Sequence, residues 1–238
     1  MTAIPPPLVA PEAVRSTPAS DAMEVRAWVA LGLATATLGA ALAFRAQAGV
    51  WLSTGTAGIL GMGVALAVAG DDLRRRLTPT RSSVLEGVVG GLLMTSLTHA
   101  AFPFFAAGLP GLEAQVSGLY AELRTPPGVE LALPVIWLVV LSEELVFRGL
   151  AVRLLERWPL TNALSGPQRQ ALVVALSTAV YAMPQLAGGS AVLLGLSAAC
   201  GVVWSWQRVR TGSLVAPLLT HLIWDTLVFV VVPLAPGL

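Results

Sequence analysis

Long apolar stretches alternate with short polar breaks along the chain, and their length sets the fold class. From residue 25 onward, apolar runs of about 20 residues recur, the length that carries a helix across a hydrocarbon core of roughly 30 Å. The pattern predicts seven spans, over 25–44, 49–70, 83–108, 130–155, 170–187, 190–207 and 212–233. The third and fourth exceed what a crossing needs, so they are expected to tilt or to extend past the bilayer. Pro184 with Gly188 and Gly189 leaves only a tight turn between the fifth and sixth. Residues 109–129 hold the amphipathic segment GLEAQVSGLYAEL, which predicts an interfacial helix or, if it crosses, an eighth span. The expected fold is therefore all-α, a polytopic transmembrane helix bundle of about seven to eight spans. One membrane-embedded domain over 24–238 follows a leader over 1–23. That leader is Pro-rich and has neither an apolar nor a charged signal region, so it reads as a disordered cytoplasmic tail.

Composition narrows the partners. With 55% hydrophobic and 11% charged residues the chain lacks the polar material for a water-facing surface, and the lipid bilayer is its main solvent. A net charge of +1 and the absence of a basic tract give no footing for nucleic acid. All 14 basic residues are arginine, and with abundant Ala, Gly and Pro this composition is associated with high-GC bacterial genomes, so a bacterial source is expected. With the N-terminus inside, the inner segments hold Arg15, Arg26, Arg74, Arg75, Arg76, Arg81, Arg153, Arg157, Arg169, Arg208 and Arg210. The outer ones hold Arg45 and Arg124 alone. This bias predicts a multi-pass protein of the inner (plasma) membrane with a cytoplasmic N-terminus. An eighth span would turn the C-terminal half over and weaken the bias. Cys200 is the single cysteine, so no internal disulfide is expected and a packing role fits its small neighbours. Gly87 and Gly91, four apart, suit close helix packing.

Chemistry concentrates in LSEELVFRG, Leu141 to Gly149, within the fourth span. A lone charge there costs roughly 3 kcal/mol or more, so each must find a partner or a task. Glu144 and Arg148, four apart, share a helix face and can pair. Glu143 points about 100° away and is left over. One ion pair would suffice to lock helices, and the spare carboxylate has the makings of a general base and acid. His221 and Asp225 in THLIWDT share a face of the last span. The imidazole can donate to a developing oxyanion, with Asp225 fixing its tautomer. Tyr181, Pro184 and Gln185 form a weaker third group, since a buried Gln usually bridges helices. His99, near Thr95 and Thr98, reads as a packing or interfacial residue. There is no HExxH, GxSxG or Ser/Lys pattern, nor the GxGD of aspartyl intramembrane proteases. No metal or other cofactor is expected.

This constellation resembles the CPBP family, the CAAX-prenyl endopeptidases and bacteriocin-processing proteins, a set of glutamate-type intramembrane proteases. Its motifs EExxxR, FxxxH and HxxxN or HxxxD lie on separate helices in that order. The first is met by Glu143, Glu144 and Arg148 and the third by His221 and Asp225, the latter after TGSLVAPLLTH. The resemblance covers about 120–235, the motif-bearing part of the domain. The middle motif departs from the family: Tyr181 stands for Phe, and Gln185 for the histidine that in the family helps the counterpart of Glu143 activate water. An amide orients water but cannot carry a proton. The resemblance implies that Glu143 activates a water for attack on a peptide carbonyl and that His221 with its neighbours stabilises the oxyanion. Glu144 and Arg148 would hold the site together, and the substrate would be a membrane-associated protein or peptide, as in processing or sorting of exported proteins. Two other readings stay open: an impaired member acting as a binding or immunity-type protein, and a proton-coupled transporter.

Overall fold

The computed structural model describes residues 18–126 and 129–234. Among them every regular element is helical: α1 (Pro18–Ala43), α2 (Arg45–Ala48), α3 (Val50–Arg76), α4 (Arg81–Gly108), α5 (Leu112–Leu123) and α6 (Val129–Glu143). A π-helical stretch (Glu144–Ala151) continues α6 into α7 (Val152–Arg157). Then follow α8 (Pro159–Asn162), α9 (Gly166–Gly188), α10 (Ala191–Thr211) and α11 (Val215–Asp225), the last running into a second π-helical stretch (Thr226–Val231). The tail expected over 1–23 lies mostly outside the described residues.

Five helices are long and apolar enough to cross a membrane: Met23–Ala43, α3, α4, α9 and α10. The two helices that carry the sequence motifs differ from these. The fourth predicted span is the composite Val129–Arg157, broken by its π stretch. The last is the shorter apolar segment Val215–Val231. The segment 109–129 forms α5, whose 12 residues are too short to cross.

The packing follows from where small residues fall. α3 lies between α1 and α6, α9 between α1 and α10, and α11 between α10 and α4. A Cβ placed on Gly87 would come 2.6 Å from Cβ of Leu219, and one on Gly91 would come 2.7 Å from Cβ of Ile223. The α4–α11 seam thus exists because those side chains are missing. Gly61 plays the same part between α3 and α6, where an added Cβ would meet the Ser142 hydroxyl at 2.9 Å. The outer face of α4 presents Leu85, Leu92, Leu93, Leu97 and Phe104, all exposed, as lipid contact requires. At the arginine-rich end, Arg76 donates to Asp72 (2.8 Å) and to the Gly212 carbonyl (3.0 Å), fastening α3 to the α10–α11 turn.

Candidate active site

The π stretch begins where the chemistry begins. Glu143 is the last residue of α6 and Glu144 the first of the wider, i→i+5 bonded turns. The same change of register occurs on the other motif helix, where α11 ends at Asp225 and the second π stretch starts at Thr226. Such insertions of wider turns are frequent at functional sites because they re-aim side chains without breaking the helix. Both carboxylate positions of the outer motifs stand at such a junction.

The π stretch is buried throughout, and its two charged residues face inward. Arg148 Nη1 lies 3.3 Å from Glu144 Oε1, and the two side chains are 0% and 1% exposed, respectively. The guanidinium sits over the Tyr181 ring at 4.0 Å and faces Trp204 at 5.1 Å, so π-faces help to hold a cation that water does not reach. Glu144 Oε1 also lies 2.9 Å from His221 Nδ1. His221 in turn stacks on Trp204, with ring centroids 3.6 Å apart and planes 19° from parallel. Arginine, glutamate, histidine and indole form one interlocked block.

Glu143 stands apart from that block, as its rotation along the helix predicts. Its side chain is 12% exposed, against 1% for Glu144. It accepts a hydrogen bond from the Tyr181 hydroxyl at 3.0 Å and lies 3.9 Å from His221 Nε2. Asp225 Oδ1 approaches the same nitrogen at 3.6 Å, too far for a hydrogen bond. The partner that fixes the ring is therefore Glu144, across from another helix, and not Asp225 one turn along its own. A helix-face argument finds neighbours within a helix only. The carboxylates surround the imidazole, Glu144 on one nitrogen and Glu143 with Asp225 on the other. Among the described residues no group of three His, Cys, Asp or Glu side chains forms a metal-holding cluster.

Five of the six expected site residues, Glu143, Glu144, Arg148, His221 and Asp225, thus meet around one ring. No hydrogen bond joins Gln185 to Glu143, which bonds Tyr181 instead. Gln185 is buried one turn beyond Tyr181 on α9, its amide oxygen has no partner among the described residues, and it lines a cavity with Asp225. Tyr181, read as a neutral replacement for Phe, is the residue of the middle motif that reaches the base. Trp204 gave no signal of its own in the sequence beyond being a tryptophan on α10. His99 bonds the Thr95 and Val232 carbonyls, as a packing residue does, and Cys200 is buried.

No curated protein and no solved structure matches the chain. A family model does: residues 126–227 match the description "Type II CAAX prenyl endopeptidase Rce1-like", a protease family, and that segment runs from just before α6 to just past Asp225. Residues 126–227 are thus similar to the Rce1-like proteases, in keeping with the resemblance carried by Glu143, Glu144, Arg148, His221 and Asp225.

Proposed function

We propose that the protein is a glutamate-type intramembrane endopeptidase in which Glu143 activates water. The observation that carries this reading is the unequal setting of two adjacent carboxylates. Glu144 is locked between Arg148 and His221, while Glu143 keeps partial exposure and bonds only the Tyr181 hydroxyl. One holds the site and the other is free to act.

In this mechanism Glu143 takes a proton from water, and the resulting hydroxide adds to a peptide carbonyl. The carbonyl π electrons move to oxygen, and His221, as the imidazolium with a proton on each ring nitrogen, donates from Nε2 to that oxyanion beside Asp225. Nδ1–H donates to Glu144, which keeps the ring in place. Glu143 then returns its proton to the departing amine as the C–N bond breaks. The Tyr181 hydroxyl aims the Glu143 carboxylate. Glu144 and Arg148 bear no proton in the cycle and act as positioning residues.

The membrane reading is a bundle of seven spans, the composite Val129–Arg157 and the segment Val215–Val231 completing the five long helices. The N-terminus is cytoplasmic, in the inner membrane of a bacterial cell, and the arginine-rich helix ends face the cytoplasm. The test compares cells carrying wild type and Glu143→Ala by terminal peptide mapping of membrane and exported proteins. New termini present with wild type and absent with the variant are expected. Identical maps from two equally abundant, inserted proteins would sink the protease reading and favour the binding or immunity-type one, to which Gln185 in place of a histidine lends its support.

A further inference from the structure

A cavity of about 180 Å³ lies against the site on the side away from the arginine-rich ends. Gln185 and Asp225 line it at its buried end, and Ile136, Val139 and Leu193 give it apolar walls. Arg45 and Glu122 stand at its more exposed end, their side chains 16% and 42% exposed. An apolar cavity of about 150 Å³ takes a benzene-sized group, so this one has room for a large side chain. It is not uniformly apolar, however. Gln185 is 9% exposed and its amide oxygen meets no donor among the described residues. A buried acceptor left unpaired costs about 1–3 kcal/mol, and a donor entering the cavity removes that cost.

We propose that this cavity binds an extended, apolar polypeptide segment presented from the extracytoplasmic face, with the Gln185 amide oxygen accepting one of its backbone N–H groups. The proposal rests on the protease reading for its purpose but not for its test. A peptide suits the cavity better than an acyl chain because a hydrocarbon tail brings no donor for Gln185. The side follows from the lining elements: the end of α1 with α2, the start of α3, α5, and the loop-proximal ends of α9 and α10. All lie opposite Arg74, Arg75, Arg76, Arg208 and Arg210. Gln185 is then a binding residue, a role in which an amide loses nothing by its inability to carry a proton.

Leu119, Glu122 and Leu123 of α5 line the cavity. Arg45 donates to Glu122 at 2.8 Å and to the carbonyls of Leu42 and Gly188 at 2.8 and 3.0 Å. Release of the single Glu122 contact frees α5 at that point while the two carbonyls keep Arg45 in place.

The experiment uses full-length Glu143→Ala, Cys200→Ala protein in membrane vesicles, so that turnover plays no part. Leu193→Cys reports on the cavity and Arg74→Cys on the opposite end, each labelled by a membrane-impermeant sulfonated methanethiosulfonate. Leu193→Cys is expected to react at least tenfold faster in right-side-out than in inverted vesicles, and Arg74→Cys the reverse. A pool of end-capped Leu/Val/Ala heptapeptides is expected to slow Leu193→Cys labelling at least threefold, and Gln185→Leu to remove that protection. Labelling of Leu193→Cys from the cytoplasmic side, or no protection by the peptides, overturns the proposal. So does protection that persists in both Gln185→Leu and Gln185→Ala. Protection together with identical termini in wild-type and Glu143→Ala cells would leave the binding site standing and remove the protease.

Discussion

Among the arginine–carboxylate pairs of this molecule, two sets obey different rules. At the arginine-rich end, Arg74 pairs with Asp71, Arg75 and Arg76 with Asp72, and Arg210 with Glu86. These side chains range from 20% to 89% exposed and pair mostly along one helix. In the interior of the bundle, Arg148 and Glu144 are 0% and 1% exposed, and their partners come from α9, α10 and α11. Exposed pairs are worth about 0–1 kcal/mol and serve to keep an end in water. A buried pair contributes little net stability, yet losing one member leaves an uncompensated charge. The contrast separates charge that keeps its water from charge that must be answered inside the bundle.

The sharpest way to break that contrast is to remove one member of the buried set. Arg148→Met is expected to destabilise the protein by about 3–5 kcal/mol, read as a loss of folded protein on heating in detergent. Arg148→Met with Glu144→Gln is expected to regain most of that stability while processing stays lost, because His221 then has no carboxylate on Nδ1. If the double variant processes substrate normally, the buried pair is structural only. Next in size is Tyr181→Phe, which removes one hydrogen bond to a charged group, worth about 1.5–3 kcal/mol. Thermal stability should fall by about that amount, and processing by the folded protein by roughly ten- to a hundredfold. Smallest is Arg75→Ala, expected to change stability by less than about 1 kcal/mol and to leave processing as it was. A large loss there would mean that the two sets are not independent.

Much of this site is legible in the sequence because its members pair at helical spacing. Glu144 with Arg148, the rotation that frees Glu143, and the amphipathic α5 all follow from counting along a helix. Gly87 and Gly91 likewise announce the seam against α11. What the count misses lies between helices. Nothing in THLIWDT says that His221 bonds Glu144 more closely than Asp225. Nothing in VYAMPQL says that the tyrosine reaches the base while the glutamine, one turn further, looks into a cavity. The π stretches are hidden for another reason: a change from i→i+4 to i→i+5 bonding alters backbone partners and leaves no mark in residue type. The composite helix Val129–Arg157 reads as one long span for the same cause.

The order in which the chain is made gives the Glu144–Arg148 pair a second consequence. His221 follows Glu144 by 77 residues, which at synthesis rates of about 5–20 residues per second is roughly 4–15 seconds. On the seven-span reading proposed above, the fourth span enters the bilayer in that interval with no histidine and no indole to receive its charges. An arginine and a glutamate four residues apart travel together and neutralise one another inside a single segment. The pair that later steadies the imidazole is thus also the helix's own passport into the lipid, carried before the rest of the site exists.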